Sequence, residues 1–147
     1  MSPLGEYPEH PVVGVGGVVL LGGQVVLIRR ANEPRKGEWS IPGGKLELGE
    51  TLAEGVRREL REETGLEVEV GQLIEAFERV YRDPDGSTRF HYVILDFLCR
   101  ASSDRPAAGG DASELALAGE DELDRFALNE AVERILRKGF EMARQEG

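Results

Sequence analysis

The sequence contains one cysteine, Cys99, so no internal disulfide can form, which suits a reducing compartment. It has two histidines, His10 and His91, far apart and without partners at ligand spacing, so neither is expected to bind metal. Long apolar runs are missing. The longest, Val12 to Leu21, is interrupted by glycines and is too short to span a bilayer, so no membrane partner is expected. Residues 1–11 carry Glu6, Glu9 and three prolines in place of an apolar stretch, so a secretory signal is not expected and a cytoplasmic location is. Basic residues are outnumbered, 18 against 28 acidic, for a formal charge of −10. That argues against a nucleic-acid duplex as partner, because phosphate backbones reward clustered Lys and Arg. A small anionic ligand remains open, since a divalent cation can bridge carboxylates and a phosphate.

What is present fits one domain over residues 1–147, with its core at about 12–144. Hydrophobic residues are 40% and charged residues 31%, as in ordinary globular proteins. Val12–Leu20 and Val25–Arg30 read as a hairpin about Gly22-Gly23. Asn32–Lys36 reads as a loop and Glu38–Ile41 as a short extended piece ended by Pro42-Gly43-Gly44. Thr51–Thr64 is predicted as a helix, with Thr51 and Glu54 forming a capping box and Gly65 the stop. Leu52, Ala53, Val56 and Leu60 should face the core. Leu66–Val80 and Arg89–Arg100 read as strands around Asp83-Pro84-Asp85-Gly86. Ala101–Ser113 reads as a mobile loop, Glu114–Ala118 as a last short strand, and Asn129–Arg144 as a helix burying Ala131, Ile135, Leu136 and Phe140. The expectation is an α/β fold, one mixed sheet with helices packed on it.

The chemistry concentrates on the first helix. Glu59, Glu62 and Glu63 stand at i, i+3 and i+4, within an arc of roughly 100°. Three carboxylates so close repel one another unless a cation sits among them. Hard cations such as Mg²⁺ favour oxygen ligands and commonly join a few carboxylates to substrate phosphates. The other reading is a solvated acidic face relieved by Arg57, Arg58 and Arg61.

The surrounding residues resemble the Nudix family, whose box is G-x5-E-x7-R-E-U-x-E-E-x-G-U with U aliphatic. Gly44, Glu50, Arg58, Glu59, Leu60, Glu62, Glu63, Gly65 and Leu66 meet every specified position. The resemblance implies a Nudix α/β/α sandwich with a mixed sheet between helices, and hydrolysis of a diphosphate linked to a nucleoside. It implies Mg²⁺ or Mn²⁺ held by Glu59 and Glu63, with Glu62 helping and the Gly44 carbonyl adding a ligand. Arg58 would pair with Glu50 and hold the carboxylates in place. In some members the general base is a box glutamate, in others an acid on a later loop; for the second arrangement Glu114 is the candidate, with Glu120 and Asp121 behind it.

Arg29, Arg35 and Lys45, with Arg30 and Lys36, could grip a terminal phosphate or simply be solvated. Trp39 is expected to brace the loop entering the box, and Phe90 and Tyr92 to alternate on one strand face. The resemblance points to a small nucleotide substrate, with ADP-ribose or a related nucleoside diphosphate derivative favoured over a (d)NTP and over a non-catalytic nucleotide-binding regulator. Tyr81 and Pro84 stand near the place that separates family subgroups and match neither pattern cleanly. The oligomeric state is not legible in the sequence, although small proteins of this kind often form homodimers.

Overall fold

Gly22 and Gly23 both take positive φ (60° and 81°), and this reverses the chain between two strands rich in valine. Strand β1 (Val12–Leu21) and β2 (Gln24–Arg30) pair only beside that turn, at Leu20–Val25 and Leu21–Gln24. The computed structural model describes residues 5–103 and 105–146, so the outermost ends of the expected domain lie outside the described residues. Beyond the turn β1 and β2 diverge. Strand β4 (Gly43–Lys45) pairs with β1, and β3 (Trp39–Ser40) pairs with β2. The opening between them becomes the entrance to the site.

The sheet continues on the far side of β1. Strand β6 (Thr88–Ala101) runs parallel to β1, and the long β5 (Val68–Arg82) lies antiparallel to β6 at the edge. Strand β7 (Ala112–Ala118) closes the other side against β2, beginning two residues before the expected Glu114. Helix α1 (Leu52–Thr64) covers one face and α2 (Glu130–Glu146) the other, with a 3₁₀ segment at Glu120–Phe126 leading into α2. This is the expected α/β/α arrangement with a mixed sheet between helices.

Strand alternation divides the core into two. Val15, Val19, Val26 and Cys99 pack with Val56, Leu60 and Leu66 on the α1 side. Val18, Leu27, Ile74 and Leu98 pack with Ile135, Leu136 and Phe140 on the α2 side. Trp39 joins the second cluster, its ring 5.3 Å edge-on from Phe126, which bears out the bracing role. Three expected core positions shift, Ala53 being only half-buried. Leu52 is exposed, because the buried stripe of α1 begins a turn later, at Gly55 and Val56; on α2, Val132 is buried where Ala131 is only half-buried.

Candidate active site

Helix α1 is fixed at both ends by its own sequence. At the start, the Glu54 N–H donates to Thr51 Oγ1 (3.1 Å) and the Thr51 N–H to Glu54 Oε1 (2.8 Å), the capping box expected from the spacing. At the end, Gly65 takes the left-handed conformation and its N–H reaches the Arg61 carbonyl. Within the segment expected to be mobile, 101–113, the part from Ala107 onward is instead fastened to this end. The Ala107 N–H donates to the Thr64 carbonyl (2.8 Å) and the Gly109 N–H to the Glu63 carbonyl (3.1 Å). Helix-terminal carbonyls lack partners within the helix, so the segment satisfies them and is held in return. This lays Asp111 at the mouth of the site.

With the helix so held, its acidic row faces the β4 turn. Glu59 and Glu63 are buried, at 8% and 3% exposure, whereas Glu62 is exposed. Glu63 Oε1 accepts from the Gly43 N–H at 2.8 Å. Glu59 presses against Gly44, where a Cβ would strike its carboxylate, so only glycine allows the main chain this close. Burial pushes the Glu59 carboxyl up, against the pull of Arg58. Burial likewise pushes Glu63 up to about 8; the Gly43 N–H opposes the rise, and Glu59 and Asp111 add to it.

Arg58 organises this group. Its Nε and Nη2 reach the two Glu50 oxygens at 2.6 and 2.9 Å, its Nη1 reaches Glu59 at 2.8 Å, and Nη2 also donates to the Lys45 carbonyl at 2.9 Å. The fork is bidentate, the geometry arginine offers and lysine does not. Hydrogen bonding to Arg58, with help from the Glu47 backbone, holds the Glu50 carboxyl at about 2. Glu62 also leans on Arg58, at 3.4 Å.

The donor set is of hard oxygens, two of them buried with a single arginine for neutralisation, and this fits a divalent cation better than a solvated surface. Among the described residues, no three Asp, Glu, His or Cys side chains are drawn together tightly enough to chelate an ion as they stand.

From this cluster a cleft runs across the sheet onto the α2 face, through the gap between β1 and β2. Gly43, Gly44, Glu63 and Asp111 line one end, and Phe77, Tyr81 and Tyr92 the other. Arg30, Arg35, Lys45 and Arg79 supply positive charge along it. Arg35 donates to the Tyr81 hydroxyl (2.9 Å) and lies over its ring. Phe90 and Tyr92 stack with centroids 6.1 Å apart.

The expected site residues therefore divide. Gly44, Glu50, Arg58, Glu59, Glu62 and Glu63 are brought together, and Arg35 and Lys45 reach the cleft. Arg29 does not; it bonds the Gly37 carbonyl and Glu114, while its neighbour Arg30 lines the cleft. Glu114 sits opposite Arg29 in the β2–β7 register, exposed. Leu115 and Leu117 pack on the α1 side, so alternation turns Glu114 to the other face, away from the box acids. Asp111 was missed because its segment read as a loop without a fixed position. Asp96, buried on the cleft floor, was also missed; a lone acid within Val93-Ile94-Leu95-Asp96-Phe97-Leu98 was the available signal.

Comparison with known proteins agrees with this geometry. Residues 10–139 match the NUDIX domain family. An ADP-ribose pyrophosphatase of Methanocaldococcus jannaschii is 37% identical over 120 residues, covering 82% of this chain and 69% of that one. The nucleoside triphosphatase NudI of an Enterobacter species is 35% identical over 100 residues, covering 65% and 71%. Among solved structures, a MutT NUDIX hydrolase from Burkholderia pseudomallei superimposes with a TM-score of 0.74 at 29% identity, covering 88% of this chain and 98% of that one.

Proposed function

The chain belongs to the Nudix family and shares its hydrolase activity, and on that premise we propose ADP-ribose, or a close nucleoside diphosphate derivative, as its substrate. The observation that carries this reading is the cleft itself, anionic at the box end and cationic and aromatic beyond it. Such a lining suits a ligand whose diphosphate lies against the acids through a cation while its flat end reaches the tyrosines. The 37% identity to an ADP-ribose pyrophosphatase supports the choice of substrate.

Nudix hydrolases generally need a divalent metal, and we propose Mg²⁺ or Mn²⁺ on Glu59, Glu62, Glu63 and the Gly44 carbonyl. When bound, such an ion neutralises the phosphates and acidifies a water. The protein's own residues do the rest. The Gly43 N–H fixes one oxygen of Glu63, and Arg58 fixes Glu59, so the carboxylates are oriented before substrate arrives. Arg30, Arg35 and Lys45 draw the diphosphate toward them. Asp111 is the loop acid we place beside the attacking water, in the part expected of Glu114. Water attacks one phosphorus, the bridging P–O bond breaks, and ADP-ribose yields AMP and ribose 5-phosphate. One catalytic domain over residues 12–144 suffices for this scheme.

A (d)NTP pyrophosphohydrolase is the second reading, favoured by the 35% identity to a nucleoside triphosphatase. A panel of ADP-ribose, NADH, dinucleoside polyphosphates and (d)NTPs, assayed for phosphate-bearing products with each metal, tests both. ADP-ribose should give the highest kcat/KM; a (d)NTP in first place reverses the order. Absence of turnover on every member defeats both.

A further inference from the structure

The floor of the cleft carries one acid that the chemistry just described does not use. Asp96 lies midway along β6 and is only 4% exposed. It turns to the α2 face, and Gly16, its partner in the parallel β1–β6 register, makes room: a Cβ there would collide with Asp96 Oδ1. Among the described residues, no hydrogen bond or ion pair to the Asp96 carboxylate is found, and its oxygens are not sealed off but keep a small surface that opens into the cleft. Arg79 and Glu75 act on it only at longer range; burial, with Glu75 adding and Arg79 opposing, brings its carboxyl up to about 7.

A buried carboxyl without a partner is destabilising, and such costs are retained where a ligand supplies the missing contact. The walls around it describe that ligand. Ile41, Phe77, Ile94 and Val132 are apolar, and Gly14 and Gly16 leave the floor bare. The slot is therefore mostly apolar on its faces and acidic at its floor, with Arg79 on its rim already engaged by Asn129 Oδ1 at 3.1 Å. A phosphate would be repelled there, and a sugar would need several polar partners. A planar heterocycle with an N–H donor on its edge meets both conditions.

We infer that Asp96 is a specificity-determining residue that accepts a hydrogen bond from the exocyclic amino group of the substrate's nucleobase. The inference rests on reading the cleft as the nucleoside end of a diphosphate substrate. It is tested by calorimetric binding of AMP and of purine riboside 5′-monophosphate, which lacks only the amino group, to the Mg²⁺-loaded full chain. Wild type should bind AMP about ten- to a hundredfold tighter, since the analogue leaves a buried acceptor unpaired. Asp96→Ala should bring the two within about twofold, and Asp96→Asn, which keeps an acceptor, should retain most of the difference. Asp96→Asn should also melt at or above the wild-type temperature, whereas a carboxylate that served the fold would give a lower one. Equal binding of the two nucleotides by wild type, no AMP binding, or a preference that survives in Asp96→Ala overturns the inference. ADP-ribose hydrolysis is scored separately. A preference for AMP without ADP-ribose turnover defeats only the substrate assignment, and turnover without the preference defeats only the role of Asp96.

Discussion

Replacing Gly44 by alanine adds one methyl group where the box turn meets the helix. Gly44 is not among the glycines with positive φ, so alanine can adopt its backbone and the effect is steric. The new Cβ would lie 2.5 Å from Glu59 Cδ and 2.7 Å from Oε1. Ordinary contact begins at 3.4 Å, and the second carboxylate oxygen would be nearer still, so the carboxylate must retreat by about 1 Å. Retreat is resisted by Arg58, which holds Oε1 at 2.8 Å. Overpacking of this kind costs about 1–3 kcal/mol, or roughly 3–10 °C in Tm. Misplacing a reacting group by about 1 Å costs on the order of 10²-fold in rate. Gly44→Ala should therefore lose about two orders of magnitude in kcat at saturating metal while remaining folded by circular dichroism. Shortening the acid in the same background, Glu59→Asp, withdraws the carboxylate and should recover part of that loss. Wild-type kcat in Gly44→Ala would refute the close approach of Gly44 to Glu59 as a condition of activity.

Glu59→Gln or Glu63→Gln should lower turnover by on the order of 10²–10⁴-fold, read in steady state with excess Mg²⁺ or Mn²⁺. Chelation by EDTA should abolish activity, and added Mg²⁺ or Mn²⁺ should restore it. In metal-free protein, Glu63 holds its proton up to about 8 when folded, against 4.5 when unfolded. Its stabilising share is thus complete below about 4.5 and is lost as pH rises toward 8. The Tm of wild type relative to Glu63→Gln, in EDTA, should fall across that window; a flat difference would count against the buried acid. Thr51→Ala removes the cap of α1 and should cost about 1 kcal/mol in denaturant unfolding, with a smaller effect on kcat.

The parts of the structure visible in the sequence are those governed by neighbouring residues. The Gly22-Gly23 hairpin, the Thr51–Glu54 capping box and the Gly65 stop are local chemistry, and each was readable within a few positions. The box acids were equally readable, because a helix converts fixed spacing into a fixed face. What was hidden depends on distant contacts. The 101–113 segment is rich in small residues and looks free, yet its N–H groups meet the carbonyls of α1, more than forty residues earlier in the chain. Which of Arg29 and Arg30 enters the cleft turns on which face of β2 meets it, and Arg30 shares that side with Ile28. Glu114 is an acid in a plausible place along the chain, but strand alternation sends it to the other face. Asp96 stood out only as an acid inside an apolar strand, and its meaning emerged with the bare glycine opposite.

The parallel pairing of β1 and β6 has one further consequence. Odd-numbered positions such as Val19, Phe97 and Cys99 are committed to the layer beneath α1, while even-numbered ones such as Gly14, Gly16, Ile94 and Asp96 look the other way. On the proposed substrate assignment, selection can therefore rewrite what the cleft accepts through alternate residues such as Ile94 and Asp96, which lie on the face of the sheet opposite α1. A scaffold so partitioned can diversify its diet without relearning its trade.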